Sequence, residues 1–287
     1  MSALAHSVLV LAQTLGAALQ DPSLRLVDAR ALLSDPAAGR AAWALSHLPG
    51  AVHADLERDL SDHRRSGLGR HPLPEADAFA QRLGQWGIGP AHTVVAYDAG
   101  DGSMAAARLW WMLKLLGHER VAVLDGGLAA WRAAGLPETG AVDAPPALPP
   151  YPVRQFDPAR IVDADTVLAR LGEAPGWLLD ARAGERFRGE VEPIDPVAGH
   201  VPGAINRPFA LNLRDGRFRP AAELRAELEP LLHGRAPSQA VLMCGSGVTA
   251  CHLLLAMEHA GLAGAKVYAG SWSGWISDRS RPLATGP

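Results

Sequence analysis

Residues 26–30 read Leu-Val-Asp-Ala-Arg, and residues 178–182 repeat this stretch as Leu-Leu-Asp-Ala-Arg. Two further blocks return in the same order and at nearly the same spacing. His-Leu-Pro-Gly-Ala at 47–51 becomes His-Val-Pro-Gly-Ala at 200–204, and the apolar run at 93–97 becomes the run at 239–243. The period is far longer than that of a solenoid repeat, so the sequence predicts a duplicated domain.

Within each half, short apolar runs alternate with stretches of helical periodicity. This alternation is typical of an α/β fold, in which a parallel sheet is flanked by helices. We therefore predict two tandem domains of this kind, at 1–140 and 159–287, joined by a proline-rich linker at 141–158. The clearest predicted strands and helices are strands 24–27, 93–97 and 121–124 and helices 105–116 and 250–259.

Composition limits the classes of function. Lys and Arg number 27 against 30 Asp and Glu, which gives a net charge of −3 and no basic excess for binding nucleic acid. The two cysteines form no disulfide framework and are too few for a cysteine-based zinc site. The N-terminal apolar stretch lacks a basic region, and no apolar run reaches membrane-spanning length. We expect a cytoplasmic protein without a metal or cofactor.

The most informative local pattern lies at 240–250, Ala-Val-Leu-Met-Cys-Gly-Ser-Gly-Val-Thr-Ala. A buried strand ends at Cys244, two glycines let the backbone curl, and a helix follows. Such a loop can direct successive backbone N–H groups at one point, and the helix N-terminus adds positive potential. This environment favours a thiolate, the reactive form of cysteine, and would also hold a persulfide anion. Cys251 falls among apolar residues of the helix, which favours core packing over a redox role.

Taken together, these blocks resemble the tandem-domain rhodanese family over nearly the whole chain. Further matching segments are 27–30, 108–111, 199–204 and 271–275. The resemblance implies a sulfurtransferase in which Cys244 of the C-terminal domain carries sulfur as a persulfide. Asp98 takes the place of the cysteine in the N-terminal domain, which implies that this domain is catalytically silent.

The Cys244 loop is most similar to that of 3-mercaptopyruvate sulfurtransferases, whereas thiosulfate sulfurtransferases usually carry basic residues after the cysteine. On this resemblance Ser246 is a second catalytic residue, which would hydrogen-bond a leaving group or move a proton. The remaining loop positions implied to bind the substrate are Gly245, Gly247, Val248 and Thr249.

Two residues outside the loop also match the family. Arg186 corresponds to the substrate-binding arginine, and His71 resembles a histidine that works with the loop serine. Arg188 is a neighbour that either faces solvent or assists, and Asp55 is a weaker candidate as an acidic partner. Mercaptopyruvate enzymes usually carry a second arginine in the stretch that corresponds to 193–195, which here reads Pro-Ile-Asp. That departure leaves the substrate open, and also whether the first domain supplies another group.

Several residues and functions have plainer interpretations. His47 and His200 precede Pro-Gly turns in both halves and are interpreted as structural, and Trp110 and Trp111 as core. A cysteine phosphatase needs an arginine six positions after the cysteine, where this chain has Ala250. A thiosulfate:cyanide sulfurtransferase and a non-catalytic sulfur-binding or relay module remain alternatives. The expected partners are a small sulfur donor and a thiol or cyanide acceptor, with thioredoxin among the candidates, and the expected assembly is a monomer or weak dimer.

Overall fold

The computed structural model describes residues 7–100 and 105–287, which fold into two compact units. The first unit takes residues up to 62 together with 73–157, and the second takes 63–72 together with 158–287. The short segment 63–72 belongs to the second unit in part because the N–H of Arg70 donates to Ser273 Oγ over 3.0 Å. A stretch from the first half of the sequence thereby becomes part of the second unit.

The first unit contains a five-stranded parallel sheet in the order β1-β5-β4-β2-β3. Its strands are rich in Val, Leu and Ala, as expected of strands covered on both faces. The strands are β1 (Leu9–Val10), β2 (Leu24–Asp28), β3 (Val52–His53), β4 (Thr93–Tyr97) and β5 (Val121–Leu124). The helices are α1 (Ala12–Ala17), α2 (Ala38–Leu45), α3 (Ala76–Gln85), α4 (Ala105–Leu115) and α5 (Gly127–Ala133).

The second unit repeats this topology with the strand order β6-β12-β11-β7-β8, again with parallel pairing. The small antiparallel hairpin β9–β10 lies outside that sheet. The strands are β6 (Ile161–Val162), β7 (Leu178–Asp180), β8 (Ile205–Asn206), β9 (Leu213–Arg214), β10 (Arg217–Phe218), β11 (Val241–Met243) and β12 (Lys266–Tyr268). The helices are α6 (Ala164–Ala169), α7 (Gly184–Phe187), α8 (Ala221–Leu228), α9 (Thr249–His259) and α10 (Ser271–Trp275).

The predicted fold class is confirmed, and the repeated Asp-Ala-Arg blocks make the same buried ion pair in both units. Arg30 Nη2 lies 2.6 Å from Asp28 Oδ2, and Arg182 Nη2 lies 2.7 Å from Asp180 Oδ2. Each arginine also donates to a backbone carbonyl, that of Ser46 or that of Gly199. These additional hydrogen bonds satisfy charges that would be costly to bury unpaired.

The proline-rich segment packs along the first unit through backbone hydrogen bonds. Two of its non-proline residues donate these hydrogen bonds, which proline cannot do because it has no backbone N–H. Leu148 donates to the carbonyl of Gly84, and Tyr151 donates to that of Ala80. In the part of the chain that the structure describes, no helix is long and apolar enough to cross a membrane.

Candidate active site

Cys244 lies directly beyond the carboxyl end of β11, the central strand of the second sheet. Ligands of parallel sheets commonly bind at this edge. The side chain is buried, and its Sγ accepts a hydrogen bond of 3.1 Å from the backbone N–H of Gly247. An N–H directed at Sγ stabilises negative charge on that sulfur, as in a thiolate.

Gly247 is required at its position for two reasons. Its φ of +80° is unfavourable for residues with a Cβ, and a Cβ here would lie 2.3 Å from the carbonyl oxygen of Ala269. The chain can therefore make the curl that directs the Gly247 N–H at Cys244 only with glycine at this position.

The N-terminal end of α10, which follows β12, fixes the backbone around Cys244. Ser271 Oγ accepts from the Cys244 N–H over 3.0 Å and donates to the carbonyl of Tyr268. The N–H of Trp272 donates to the carbonyl of Cys244, and the N–H of Ser273 donates to the carbonyl of Gly245, each over 2.9 Å. With both sides held, the loop is preorganised.

Ser246 meets a histidine that is far away in sequence. His71 Nδ1 lies 2.8 Å from Ser246 Oγ, and both side chains are buried. His71 belongs to the segment 63–72, which is part of the second unit. The arrangement links a hydroxyl on the cysteine loop to an imidazole, the side chain that most often serves as a general acid or base.

Arg186, on α7, reaches the loop from one side. Its guanidinium binds Glu192 Oε1 at 2.8 Å and Asp195 Oδ2 at 3.1 Å. Its two terminal nitrogens both lie 3.5 Å from the position of a Cβ built on Gly245. The predicted substrate arginine therefore lies beside the cysteine loop, held by two buried carboxylates.

Glu192 connects this cluster to the core. Burial raises the pKa of its carboxyl, but hydrogen bonds from Arg186 and from the N–H groups of Asp195 and Ile194 outweigh that effect and lower the pKa. Its carboxylate also lies 3.6 Å from Arg182 Nη1. The ionised carboxylate therefore fixes Arg186 against a rigid part of the unit.

Arg70 is a residue that sequence reasoning missed. Its Nη1 binds Asp195 Oδ1, so a single carboxylate holds both Arg70 and Arg186. Its Nη2 lies 3.1 Å from the Cβ position of Gly245. The sequence shows that 193–195 lacks an arginine, but nothing local in it indicates that a residue so far upstream pairs with Asp195.

The other predicted site residues take varied positions. Val248 is buried at the cap of α9, and Thr249 begins that helix. Cys251 is buried, and its thiol donates to the carbonyl of Gly247 over 3.2 Å, so it supports the loop as well as the core. Arg188 faces outward and pairs with Glu190.

Residues interpreted as structural have geometry that fits that interpretation. His200 stacks on Phe187 with ring centroids 3.8 Å apart, and its Nδ1 is hydrogen-bonded to the backbone carbonyl of Phe187. Burial lowers the pKa of His200. Trp110 and Trp111 are buried on α4, as predicted. Asp55, the weaker candidate for an acidic partner, accepts from the N–H groups of Glu57 and Arg58 within the first unit.

The first unit holds the start of its corresponding loop, at residues 98 and 99, in the same way but without a cysteine. Buried Asp98 follows β4, and the N–H groups of Leu128 and Ala129 donate to the carbonyls of Asp98 and Ala99. This pattern matches the bonds around Cys244 and Gly245. Among the described residues of both units, no group of three or more His, Cys, Asp or Glu side chains is placed to hold a metal ion.

Comparison with known proteins agrees with this geometry. The rhodanese-like domain family matches twice, at residues 11–134 and 163–278. The chain therefore belongs to the rhodanese family, as a sulfurtransferase with two tandem domains.

The similar proteins include enzymes named for two different sulfur donors. A Pseudomonas aeruginosa protein provisionally named 3-mercaptopyruvate sulfurtransferase is 50% identical over 97% of this chain and 98% of its own. A Mycobacterium tuberculosis protein provisionally named thiosulfate sulfurtransferase SseB is 42% identical over 97% of both chains. The structure of the 3-mercaptopyruvate sulfurtransferase of Leishmania major matches with a TM-score of 0.82 and 30% identity, over 93% of this chain and 73% of that one.

Proposed function

We propose that this sulfurtransferase takes its sulfur from 3-mercaptopyruvate and stores it on Cys244 as a persulfide. The observation that carries the choice of donor is the 2.8 Å contact between His71 Nδ1 and Ser246 Oγ. It matters because the two candidate donors differ in whether a proton has to move.

In the first step the Cys244 thiolate attacks the sulfur of 3-mercaptopyruvate. The new S–S bond forms as the C–S bond breaks. The electron pair of the C–S bond stays on the carbon that becomes the methyl group of pyruvate. The thiol proton of the donor is transferred to that carbon, so the products are a Cys244 persulfide anion and pyruvate. Ser246 and His71 form a relay of the kind that this transfer needs.

Thiosulfate needs no such relay. Attack by the thiolate on its outer sulfur gives the same persulfide anion and releases sulfite, with no proton gained or lost. The buried pair formed by Ser246 on the loop and His71 from the segment 63–72 therefore has a role in the mercaptopyruvate reaction and none in the thiosulfate reaction.

Arg186 supplies the binding charge. Its guanidinium lies beside Gly245, where it can hold the donor carboxylate while the sulfur faces Cys244. The backbone N–H of Gly247 stabilises negative charge on Cys244 Sγ, which is present before sulfur is taken up and again after sulfur has passed to the acceptor. Gly245, Val248 and Thr249 complete the wall of this site. The first unit is proposed to be silent in sulfur transfer, because Asp98 stands where the nucleophile would be.

In the second step a thiolate or cyanide attacks the outer sulfur of the persulfide, and the Cys244 thiolate is regenerated. We propose a reduced thiol as the physiological acceptor, with thioredoxin among the candidates, which corresponds to a cytoplasmic setting. Both cysteines of the chain are free thiols, as such a setting requires. Incubating persulfidated protein with reduced thioredoxin tests this directly, since loss of sulfur from Cys244 is the expected result.

Thiosulfate is the second candidate donor, and one observation favours it. Two guanidinium groups, from Arg70 and Arg186, lie next to Gly245, so the neighbourhood of the loop has the cationic charge that the loop sequence lacks. The decisive experiment compares kcat/KM for 3-mercaptopyruvate and thiosulfate with the same acceptor. A higher value for 3-mercaptopyruvate supports the proposal, and a higher value for thiosulfate contradicts it.

A further inference from the structure

We infer that Arg70 is the second cation of the donor site and that it holds the donor carboxylate together with Arg186. The inference rests on the proposed function. The sequence has no arginine at 193–195, where related mercaptopyruvate enzymes usually carry one, and position 195 holds an aspartate instead. In this chain that aspartate binds an arginine delivered by the segment 63–72.

The two guanidinium groups share one carboxylate but keep separate nitrogens available. Asp195 Oδ1 accepts from Arg70 Nη1, and Asp195 Oδ2 accepts from Arg186 Nη2. Glu192 accepts from Nε and Nη2 of Arg186. Among the described residues this leaves two terminal nitrogens without a hydrogen-bond partner, Nη2 of Arg70 and Nη1 of Arg186.

These two nitrogens lie next to the same point. The Cβ position of Gly245 is 3.1 Å from Arg70 Nη2 and 3.5 Å from Arg186 Nη1. Gly245 directly follows the nucleophile, so an anionic group bound there would be one residue from Cys244. Two N–H donors that meet from different side chains suit the two oxygens of a carboxylate.

The charges and the exposure of the two side chains agree with this role. The Asp195 side chain is 2% exposed, whereas that of Arg70 is 30% exposed. The acid is therefore fixed, while the guanidinium it orients remains accessible to a small anion. The pairing neutralises Asp195 and leaves Arg70 with donors to spare, as expected of an arginine that is preorganised for a ligand.

The test is steady-state kinetics of Arg70→Ala with 3-mercaptopyruvate and with mercaptoacetone, which keeps the thiol and ketone but lacks the carboxylate. Removing a charge-assisted hydrogen bond that only the carboxylate donor accepts should raise the KM for that donor by about 10- to 100-fold. The KM for mercaptoacetone should be unchanged. Arg64→Ala removes the same charge from an exposed position of the same segment and is the matched control.

Two additions keep the outcomes distinct. Arg70→Lys keeps the charge and should give an intermediate KM, which covers the case in which Arg70→Ala fails to fold. Pyruvate should protect Cys244 from iodoacetamide in the wild type and protect it less in Arg70→Lys, a readout that needs no turnover.

An unchanged KM in Arg70→Ala, or an equal rise for both donors or for Arg64→Ala, would overturn the inference. A wild-type enzyme that is inactive with 3-mercaptopyruvate would instead overturn the proposed function.

Discussion

The N–H of Gly247 donates to Cys244 Sγ over 3.1 Å, and this hydrogen bond sets the electrostatic environment of the nucleophile. It depends on the positive φ of Gly247 and on the close approach of the Ala269 carbonyl. The thiol of Cys251 also holds Gly247 in place, by donating a hydrogen bond to its carbonyl. The reactivity of one sulfur therefore depends on the conformation of one glycine.

Gly247→Ala should lower kcat without unfolding the protein. The added Cβ would lie 2.3 Å from a carbonyl oxygen, so the loop must shift and the hydrogen bond to sulfur breaks. Losing a hydrogen bond to a charged group predicts a fall in kcat of about 10- to 100-fold.

Gly203→Ala is the matched control for this change. Gly203 has the same φ of +80°, but nothing lies within 4 Å of its Cβ position. Both variants strain the backbone, and only one disturbs the sulfur. Equal effects on kcat would show that general strain, not the bond to Cys244, is responsible.

Ser246→Ala should separate the two donors. Removing the hydroxyl breaks the link to His71, so the proton relay for 3-mercaptopyruvate is removed. General acid–base catalysis contributes about 10²- to 10⁴-fold, and we expect kcat with this donor to fall within that range. Turnover with thiosulfate should change little. His71→Gln should show the same selectivity. A parallel loss with both donors would mean that the pair acts on the shape of the loop, not on a proton.

Arg186→Ala should lower kcat/KM for 3-mercaptopyruvate by about 10- to 100-fold, because a charge-assisted hydrogen bond to the carboxylate is removed. Arg186→Lys keeps the charge without the planar fork and should recover only part of the rate. Arg188→Ala is the control, since Arg188 lies two residues away and pairs with Glu190 on the surface. Similar losses of kcat/KM in Arg186→Ala and Arg188→Ala would indicate a general electrostatic effect of positive charge and not a specific hydrogen bond from Arg186 to the carboxylate.

Glu192→Gln should reduce stability in a pH-dependent way. The pKa of Glu192 is lowered in the folded protein, so its carboxylate contributes stability that is present above the ordinary value of 4.5. That contribution is lost as pH falls through the lower folded value. We expect the variant to lose about 2 kcal/mol of unfolding free energy at pH 7, as for a hydrogen bond to a charged group.

Thermal or urea unfolding from pH 7 down to pH 3 measures this effect. The difference between wild type and Glu192→Gln should shrink below pH 4.5. Glu190→Gln, an exposed neighbour that also pairs with an arginine, should show no measurable change. A stability difference between wild type and Glu192→Gln that stays constant across the pH range would contradict the assigned role of the Glu192 charge.

The parts of the fold set by local pattern could be predicted from the sequence. Strands 93–97 and 121–124 and the helix from 105 follow from apolar runs and periodicity, and the structure agrees within a residue or two. The Cys244 loop was recognisable because strand, cysteine, glycines and helix are contiguous.

Interactions that join distant parts of the chain could not be predicted in the same way. Ser271, which fixes the Cys244 N–H, follows a different strand, and its own side chain gives no local signal. Arg70 lies far upstream of Asp195 in sequence, so only the folded unit brings these two charges together. The sequence shows that 193–195 lacks an arginine, whereas the pairing of Arg70 with Asp195 is visible only in the tertiary structure.

Mass spectrometry of the protein after a single exposure to 3-mercaptopyruvate, with no acceptor present, tests the persulfide mechanism most directly. We predict a mass increase of one sulfur atom per chain on the peptide that contains Cys244, together with one pyruvate released. Cys251→Ser should gain the same sulfur, and Cys244→Ser should gain none and have no activity. Sulfur found on Cys251, or turnover in folded Cys244→Ser, would contradict this mechanism.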